Sequence, residues 1–512
     1  MQRHFTQNSL AKVFTQNSLD FPDRPAISCR SQLYTYEDTW RLARNVSLII
    51  HDNFRDENRV GIVTGDDIYT YSSILGILLS GCAYVPLNLH HPDSRNDEIC
   101  AQARLNLVLT SQLEIGEIKI RQINNSEVRF IGVRNSGKYL GSISHVAEIS
   151  ENEIAYLFFT SGSTGKPKGV PIYHRNVNGF LEAIFNSSIY QFTKEDKFIQ
   201  MFELTFDLSV FSFFVPLMYG ACTYVVPDDG IKYMNIISLL EEESITVALM
   251  VPSVIGYLRK YFKEISLPNL RYSLFCGEAL FQDIVEEWSE CVPNAKIQNV
   301  YGPTEATIFC LYYDWTKNSK GEAINGIVPI GKALPGTIIQ IRNEDGIFNN
   351  NQKGELCLAG VQVTDSYWRD EIKTNTAFIE NGNSVSGNKI YRTGDAAYIN
   401  ENSNLIFCGR IDNQVKIDGY RVEPGEIEHH ARNMAGGTES IVVPVPNETG
   451  VFELNLCLKN YSGETKTLIE NLRTKLPSYM IPSKVYSFVE FPLNLNGKVD
   501  RKQIVDMIIK ER

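Results

Sequence analysis

The 512-residue sequence has ten cysteines, but no two of them are separated by only two residues. The usual zinc-binding and thioredoxin-type sites are built on such CxxC pairs, so both kinds of site are excluded. Scattered cysteines are typical of a reducing compartment, because disulfide-stabilised secreted domains need theirs in pairs. The first residues, Met1-Gln-Arg-His-Phe-Thr, lack the apolar segment of a secretory signal. We therefore expect a cytoplasmic protein.

The sequence also lacks an excess of basic residues. Its 49 lysines and arginines are outnumbered by 60 aspartates and glutamates, which gives a formal net charge of −11. Proteins that bind nucleic acids or anionic membranes usually present a basic surface, so neither partner is expected. The hydrophobic content of 43% is that of a globular protein, and the length predicts two to four domains.

One segment without charged residues, 208–227, could be mistaken for a membrane span. Pro216, Gly220 and Pro227 interrupt it, and Asp207 precedes it directly. This pattern favours a buried helix that runs into a buried strand.

Short apolar runs alternate with helix-like stretches over most of the chain. Strand candidates begin at Val60, Ala83, Leu107, Thr246 and Tyr272, and a helical pattern covers residues 71–79. Such alternation predicts an α/β fold with largely parallel sheets. From about residue 354 the strand candidates become shorter, and the last hundred residues are compatible with a separate small unit.

The strongest local signal is a loop rich in serine, threonine and glycine. The apolar run Leu157-Phe-Phe leads into it, Lys-Pro-Lys168-Gly-Val follows it, and its six residues are Thr160, Ser161, Gly162, Ser163, Thr164 and Gly165. Small residues let backbone N–H groups close around phosphate oxygens, while hydroxyls add donors and lysines add charge. No GxxxxGK[ST] motif fits here, so this is not a Walker A loop. The segment predicts a phosphate site, with a flexible linker as the alternative.

Together with this loop, further motifs resemble the ordered core motifs of amino-acid adenylation domains, which belong to the adenylate-forming superfamily. These domains occur in nonribosomal peptide synthetases and in freestanding D-alanine–carrier-protein ligases. The resemblance spans roughly residues 20–502. The motifs are Gly81-Cys-Ala-Tyr-Val-Pro-Leu, Phe206-Asp207-Leu-Ser, Asn299-Val-Tyr301-Gly-Pro-Thr304-Glu305, Tyr391-Arg-Thr-Gly-Asp395, residues 409–428 from Gly409-Arg410-Ile-Asp412 onward, and Asn496-Gly-Lys498-Val-Asp-Arg.

The resemblance implies a fold and a two-step reaction. A large N-terminal adenylate-forming domain with parallel-rich sheets, residues 1–411, would bind ATP and an amino acid. A small mobile C-terminal α+β domain, residues 412–512, would rotate between the steps. The carboxylate attacks the α-phosphorus of ATP, and the phosphopantetheine thiol of a carrier protein then displaces AMP. This division leaves no room for a fused carrier, so we expect a separate carrier protein, with ATP and Mg²⁺ as cofactors.

The resemblance also assigns the nucleotide site. Tyr301 would stack on adenine, Asn299 would bond its amino edge, and Asp395 would accept from the ribose hydroxyls, a task suited to an ionised carboxylate. Glu305 would be associated with Mg²⁺. The remaining nucleotide-binding residues would be the phosphate loop with Lys168, together with Gly277, Glu278, Gly302, Thr304 and Arg410.

Lys498 is the residue expected to act in the first step, by neutralising charge that develops on the α-phosphate once the small domain closes. Asp412 would be the hinge that absorbs the rotation. Lys416 and Gly419 would face the pantetheine thiol in the second step. Without the resemblance, Lys498 would be a solvated charge, and Lys416 and Gly419 would lie on an exposed hairpin.

Asp207 would pair with the α-ammonium group of the substrate, and its alternative is a helix N-cap. The expected pocket carries no charge apart from Asp207 and from Lys498 at the substrate carboxylate. It therefore favours a small or medium apolar amino acid. The sequence does not decide between alanine-like and proline-like substrates or between their D and L forms, and larger amino acids are further alternatives. The lining residues are Phe206, Leu208, Phe211, Leu249, Leu274, Cys276, Val300, Ile308 and Phe309.

Two other functions stay open. An acyl-coenzyme A synthetase would share the motifs, but Asp207 argues against it because fatty acids carry no ammonium group. A catalytically silent adenylate-binding module would not need Lys498, Glu305 and Asp395.

Overall fold

A computed structural model describes residues 10–53, 58–136, 148–162, 166–343, 346–348, 352–380, 389–493 and 499–511. Four predicted site residues, Ser163, Thr164, Gly165 and Lys498, lie outside these ranges.

The described residues form helices and strands in alternation. The helices are α1 (Leu10–Asp20), α2 (Tyr36–Asn53), α3 (Ile68–Leu79), α4 (Asp93–Ala103), α5 (His174–Phe185), α6 (Leu208–Tyr219), α7 (Lys232–Glu242), α8 (Pro252–Leu258), α9 (Gln282–Cys291), α10 (Glu371–Ala377), α11 (Pro424–Met434), α12 (Thr465–Arg473) and α13 (Arg501–Glu511).

The strands before the six-stranded sheet are β1 (Pro25–Cys29), β2 (Gln32–Thr35), β3 (Arg59–Thr64), β4 (Ala83–Asn88), β5 (Leu107–Glu114), β6 (Ile118–Ile123), β7 (Ser126–Arg134), β8 (Ile154–Thr160), β9 (Lys168–Tyr173), β10 (Lys197–Gln200), β11 (Cys222–Val225), β12 (Val247–Met250), β13 (Tyr272–Phe275), β14 (Lys296–Tyr301), β15 (Leu311–Trp315) and β16 (Lys332–Ala333). The later strands are β17 (Thr337–Asn343), β18 (Gly346–Phe348), β19 (Gly354–Gly360), β20 (Phe378–Glu380), β21 (Lys389–Ile399), β22 (Leu405–Arg410), β23 (Val415–Ile417), β24 (Tyr420–Val422), β25 (Ser440–Pro446), β26 (Phe452–Lys459) and β27 (Lys484–Phe488).

Two large sheets carry the first part of the chain. A nine-stranded sheet has the order β16-β15-β14-β13-β12-β10-β11-β1-β2, and a seven-stranded sheet has the order β6-β7-β5-β3-β4-β8-β9. The inner strands of both run parallel, and antiparallel strands lie only at the edges. Helices cover these sheets, so the predicted α/β fold with parallel-rich sheets is confirmed.

Helix α6 and strand β11 form the element predicted for the uncharged segment. Gly220 adopts a left-handed conformation at φ 77°, which ends the helix after Tyr219, and β11 begins at Cys222. The apolar residues of both elements are buried in the main core. Within the described residues, no helix combines the length and the apolar character that a membrane crossing requires.

A six-stranded sheet of β17 to β22 follows, with antiparallel pairing. Strands β21 and β22 place Asp395 opposite Arg410.

The residues after 411 have hydrophobic clusters of their own. Two clusters, one around Val422 and Leu456 and the other around Val443 and Ile504, share no member with the main core. They are built on the three-stranded sheet of β25 to β27 and its helices. The domain boundary between residues 411 and 412 stays a prediction. Two domains would each have a hydrophobic core of their own, and separate clusters are consistent with that. All ten cysteines are free thiols.

Candidate functional site

The candidate site lies where the phosphate loop, the end of β14 and the hairpin of β23 and β24 meet. Strands β8 and β9 pair Thr160 with Lys168, so the loop between them closes the end of a tight antiparallel pair. Strand β14 ends at Tyr301, and a short 3₁₀ turn over Thr304–Ala306 follows it. Strands β8 and β14 each run parallel to a neighbour in their own sheet, and the site lies at their carboxyl ends, which is where ligands bind in α/β sheets.

Glu305 is fully buried at the centre of a charged cluster. Both of its oxygens accept from Nη1 of Arg421 at 3.0 Å. Its Oε1 also accepts from Nζ of Lys168 at 3.2 Å and from the hydroxyl of Tyr367 at 2.7 Å. Burial alone would raise the pKa of Glu305, but Arg421 and Lys168 outweigh it and hold this pKa well below its ordinary value. The carboxylate is therefore ionised, and Oε1 accepts from three donors whereas Oε2 accepts from Arg421.

Lys168 is buried beside Glu305. Burial lowers the pKa of Lys168 to about 8, and the neighbouring Arg421 lowers it as well, while Glu305 opposes both effects. Its ammonium also lies 4.5 Å from the ring centroid of Tyr367, a distance at which a cation–π contact adds stability.

The described part of the phosphate loop contacts the residues after 411. The Ser161 hydroxyl donates to the backbone carbonyl of Arg421, and the Gly162 N–H donates to Oε2 of Glu426 at 3.3 Å. Oε1 of Glu426 accepts from Nη1 of Arg95 at 2.7 Å, and both side chains are buried. A Cβ at Gly162 would lie 2.1 Å from the carbonyl oxygen of Lys166, so this turn requires glycine. The Oγ1 of Thr160 is buried without a hydrogen-bond partner.

The residues predicted to hold adenine and ribose are brought together. The Tyr301 hydroxyl donates to Oδ2 of Asp395, and Nη1 of Arg410 donates to Oδ1 of the same carboxylate at 2.8 Å. The amide nitrogen of Asn299 donates to the carbonyls of Val328 and Pro329 at 3.3 and 2.9 Å. This orientation makes Oδ1 the atom of Asn299 that can accept from a ligand. The ligand roles of all four residues stay predictions.

Gly277 and Glu278 face the hairpin of β23 and β24. Gly277 has φ 94°, and a Cβ there would lie 3.4 Å from the Cα of Gly419. The Glu278 carboxylate accepts from the N–H groups of Ser253 at 2.8 Å and Gly419 at 2.9 Å. Sequence reasoning assigned Glu278 to the nucleotide, whereas its side chain joins helix α8 to the hairpin.

Asp207 is buried and has an oxygen, Oδ2, without a hydrogen-bond partner. Burial raises the pKa of Asp207 to about 7, with a hydrogen bond from Thr304 and the charge of Lys416 lowering it and Glu305 raising it. The residue precedes helix α6, but its side chain makes no capping hydrogen bond. Asp207 thus occupies the N-cap position of this helix without a side-chain capping bond.

The predicted pocket residues are almost all buried side chains of the main core. Leu249 on β12 pairs with Leu274 on β13, and Cys276 follows β13 directly. Burial raises the pKa of Cys276 to about 12, so its thiol stays protonated at neutral pH. The ring centroids of Phe211 and Phe309 lie 5.5 Å apart, a distance typical of packed aromatic side chains. The other fully or nearly fully buried members are Leu208, Val300 and Ile308, while Phe206 is half-buried.

Lys416 is half-buried and Gly419 is buried, so the alternative of an exposed hairpin does not hold for these two residues. Lys416 Nζ lies 5.6 Å from the ring centroid of Tyr301, and its charge acts on Asp207 and Cys276. Gly419 has φ 82° and packs against Val251. At the predicted hinge, Asp412 accepts from Nε and Nη2 of Arg410, both at 2.6 Å.

Sequence reasoning gave no role to Arg421, Glu426, Arg95, Tyr367 or Tyr420. Arg421 lies on the short strand β24 and Glu426 in the first turn of helix α11, and a charged residue at either kind of position is ordinarily exposed. Arg421 and Glu305 are 116 positions apart, and Arg95 and Glu426 are 331 apart. No local signal in the sequence reports such pairings.

Comparison with known proteins gives relatives over the whole chain. Residues 14–368 match the sequence profile of the family described as AMP-binding enzyme. Gramicidin S synthase 1 of Brevibacillus brevis is 30% identical over 508 residues, which cover 97% of this chain and 44% of that protein. Tyrocidine synthase 1 of Brevibacillus parabrevis is 29% identical over 500 residues, which cover 97% of this chain and 45% of that protein. The chain thus spans less than half the length of either relative.

Solved structures agree in fold. The adenylation domain AlmE of Vibrio cholerae, in complex with glycyl-adenosine-5'-phosphate, matches with a TM-score of 0.83 and 27% identity, covering 100% of this chain and 99% of that one. Holo-PA1221, which contains adenylation and PCP domains, matches with a TM-score of 0.85 and 24% identity, covering 99% and 85%. The chain therefore belongs to the family of AMP-binding enzymes and has the fold of an adenylation domain of the nonribosomal peptide synthetase type.

Proposed function

We propose that the chain activates an amino acid with ATP, forming aminoacyl-AMP and pyrophosphate, and then loads it onto the phosphopantetheine thiol of a carrier protein. The observation that carries this proposal is the unpartnered Oδ2 of the buried Asp207. A buried carboxylate oxygen without a hydrogen-bond partner has lost its hydration without compensation, which costs free energy. A cationic group is therefore expected to bind it. The α-ammonium group of an amino acid is such a cation, and a fatty acid has none.

The nucleotide half of the proposal rests on the family, whose members use ATP, and on the residues around the phosphate loop. Asp395 would accept from ribose, Tyr301 would cover adenine, and the N–H and hydroxyl groups of the loop would bind phosphate oxygens. Lys498 would neutralise charge on the α-phosphate in the first step, when the unit of residues 412–512 has rotated about Asp412.

Glu305 is the residue that would hold Mg²⁺. The described residues contain no cluster of three histidine, cysteine or acidic side chains that could form a metal cage. A single ionised carboxylate beside a phosphate loop nevertheless suits Mg²⁺, which keeps several waters and binds through one or two carboxylates and substrate phosphates. Bound there, the ion would supply charge neutralisation for the phosphates.

The substrate is proposed to be a small or medium apolar amino acid, alanine-like or proline-like. Leu208, Phe211, Leu249, Leu274, Cys276, Val300, Ile308 and Phe309 offer no charged group to a substrate side chain, and the large rings of Phe211 and Phe309 restrict the volume. The glycyl adenylate bound to AlmE supports a small substrate by analogy.

The carrier is proposed because the relatives are synthases more than twice as long as this chain and because holo-PA1221 joins an adenylation domain to a PCP domain. Lys416 and Gly419, which lie beside Cys276 and Gly277, would border the path of the pantetheine thiol.

Amino-acid-dependent exchange of pyrophosphate into ATP tests the proposal. The panel consists of the common L-amino acids, glycine and D-alanine, and wild-type exchange with at least one of them is the expected result. Asp207→Asn should raise the KM for that amino acid with little effect on the KM for ATP. If Asp207→Asn left the KM for the amino acid unchanged, the role of Asp207 would be wrong.

The same assay separates the alternatives. Thioester formation from a fatty acid and coenzyme A, without exchange for any amino acid, would establish an acyl-coenzyme A synthetase. Nucleotide binding with neither reaction would establish a silent binding module. Full exchange by Lys498→Ala would remove Lys498 from the catalytic set.

A further inference from the structure

Three arginines come together around one tryptophan at the end of helix α4. Arg59 opens strand β3, and Arg104 forms the C-cap of α4. Arg369 directly follows the tryptophan, Trp368. The guanidinium carbons of Arg59 and Arg369 lie 4.7 and 5.2 Å from the ring centroid of Trp368, which are distances of cation–π contacts. Arg59, Arg104 and Arg369 together form the arginine cluster.

Backbone groups fix the ring and one of the three guanidinium groups. Nε of Arg59 donates to the carbonyl of Ala103 at 3.0 Å. The indole N–H of Trp368 donates to the carbonyl of Gln102 at 3.1 Å, and the backbone N–H of Trp368 donates to the carbonyl of Gly169 at 2.8 Å. The cluster is therefore organised before any ligand arrives, which reduces the entropy that binding costs.

The three positive charges repel one another. Burial lowers the pKa of Arg59, and the charges of Arg369 and Arg104 lower it further. Loss of hydration also lowers the pKa of Arg369, with Arg104 acting in the same direction. Guanidinium groups nevertheless stay charged at neutral pH, so the fold holds like charges close together. An anion between them would relieve this repulsion.

An open depression of about 580 Å³ lies beside the cluster, lined by Arg104, Arg369 and the first turn of helix α10. Within the described residues, neither arginine forms an ion pair with a carboxylate. Asp370, in the lining, accepts from the N–H of Lys373 at 3.0 Å, and its Oδ2 lies 2.9 Å from Nζ of Lys373. The other carboxylate of the lining, Glu371, is exposed. Positive charge is therefore in excess here, in a chain with a net charge of −11.

The arginine cluster is separate from the candidate functional site. Tyr367, which bonds Glu305, belongs to the main core, whereas the next residue, Trp368, packs against the hydrophobic cluster beneath helix α4. Arg59 lies at the amino end of β3, while the candidate site lies at carboxyl ends of strands. An anion in the depression would thus not occupy the reaction site.

We propose that the arginine cluster is a second anion site, which binds a small phosphate-bearing molecule. A phosphate group has three terminal acceptor oxygens and can accept from two guanidinium groups at once, and the planar fork of arginine suits such pairing. The volume of the depression is that of a small-molecule site. The phosphate group is the shared chemistry of free phosphoanions and of nucleotides. This inference goes beyond the proposed function and does not depend on it.

Fluorescence titration of the full chain tests the site, because two guanidinium groups lie on the ring of Trp368. The probes are inorganic phosphate, pyrophosphate and AMP, each without metal, and Trp368→Phe identifies the part of the signal that belongs to Trp368. A saturable change in that part is expected with pyrophosphate. A change with phosphate and pyrophosphate alone would assign free phosphoanions as the ligands, and a change with AMP as well would include nucleotides.

Sodium chloride at equal ionic strength is the control for general ionic effects. An equal response to chloride, or no Trp368-dependent response at millimolar pyrophosphate, would overturn the proposal. A response to poly-glutamate and to none of the three phosphate probes would also overturn it, since the cluster would then be a contact for an acidic protein.

Arg104→Gln and Arg369→Gln each remove one guanidinium from the lining. Each variant should weaken pyrophosphate binding at Trp368 by about tenfold or more, the effect of losing a hydrogen bond to a charged group. Arg473→Gln, at an exposed arginine outside the cluster, is the matched control and should bind like the wild type. Unchanged affinity in both cluster variants would contradict the proposal.

Amino-acid-dependent pyrophosphate exchange keeps this result apart from the proposed function. Arg104→Gln and Arg369→Gln should exchange like the wild type, because neither residue belongs to the proposed reaction site. Absence of exchange in the wild type would count against the proposed function and would leave the Trp368 titration unaffected.

Discussion

Nζ of Lys168 lies 3.2 Å from Oε1 of Glu305, and both side chains are buried. Arg421, 116 positions further along the chain, binds the same carboxylate, so one anion contacts two cations. This arrangement makes Glu305 the most sensitive charge of the site, because its loss isolates both cations at once.

Glu305→Gln is expected to lower the free energy of unfolding at pH 7 by about 3–5 kcal/mol, the range found when one partner of a buried ion pair is removed. Urea unfolding followed by tryptophan fluorescence measures this change. The pKa of Glu305 is held below its ordinary value in the folded protein. The stabilisation that ionised Glu305 gives to the fold is therefore present above about pH 4.5 and is lost as the pH falls below that value. The difference between variant and wild type should therefore shrink in acid.

Glu401→Gln, at an exposed carboxylate, is the control and should change the stability by less than about 0.5 kcal/mol. Equal stabilities of Glu305→Gln and wild type at pH 7 would contradict the ionic role of Glu305.

Asp207 predicts a pH dependence of amino-acid binding. Burial raises the pKa of Asp207 to about 7, so the free enzyme protonates this group as the pH falls below 7, and the protonated form cannot pair with an ammonium group. The KM for the amino acid in pyrophosphate exchange should rise by about tenfold between pH 7 and pH 5.5, in step with protonation of the carboxyl.

Asp207→Asn should bind the amino acid weakly at every pH in this range, with no inflection near 7. The KM for ATP, measured in the same series, shows how much of the pH effect belongs to the nucleotide. An inflection that persisted in Asp207→Asn would assign the titration to another group.

Part of this site could be predicted from local sequence. Helix α6 after Asp207 was predicted from its uncharged apolar run, and Lys168 from the loop rich in serine, threonine and glycine before it, whereas strand β14 was not predicted and Glu305 came from the motif resemblance. The approach of Lys168 to Glu305 joins two sheets, because β9 belongs to the seven-stranded sheet and β14 to the nine-stranded sheet, and local patterns do not predict how two sheets pack.

The pairing of Arg421 with Glu305 could not be predicted in this way. It depends on how the residues after 411 dock, and that docking involves contacts such as the stacked rings of Phe206 and Tyr420. The hydrogen bonds of Asn299 and Glu278 were also not predicted, because backbone carbonyls and N–H groups from other elements have no signature in the sequence.

Phe211 is predicted to limit the size of the substrate. Its ring packs against those of Phe309 and Phe198, at centroid distances of 5.5 and 6.1 Å, so a smaller side chain would open space beside these rings, where the substrate pocket is proposed. Phe211→Leu should raise kcat/KM for leucine or phenylalanine relative to alanine by about tenfold, which is the discrimination that a change of about one methylene in an apolar pocket gives. Pyrophosphate exchange with each amino acid gives the ratio.

Phe213→Leu is the matched control, because this residue lies on the same helix but packs against Tyr71 at 5.0 Å. It should alter stability without altering the ratio. An unchanged ratio in Phe211→Leu would remove Phe211 from the pocket wall.

Gly419→Ala is expected to separate the two half-reactions. Gly419 has φ 82°, and a Cβ there would lie 2.4 Å from Cγ1 of Val251, so alanine would push the hairpin of β23 and β24 out of its docked position. If the docked hairpin serves the second step, transfer to the carrier thiol should fall by more than about tenfold, the rate effect of roughly 1.4 kcal/mol. Pyrophosphate exchange, which belongs to the first step, should be retained.

Gly450→Ala is the control, since Gly450 has a similar φ of 81° but no atom within 4 Å of its added Cβ. Equal loss of both half-reactions in Gly419→Ala would show that the hairpin does not distinguish them.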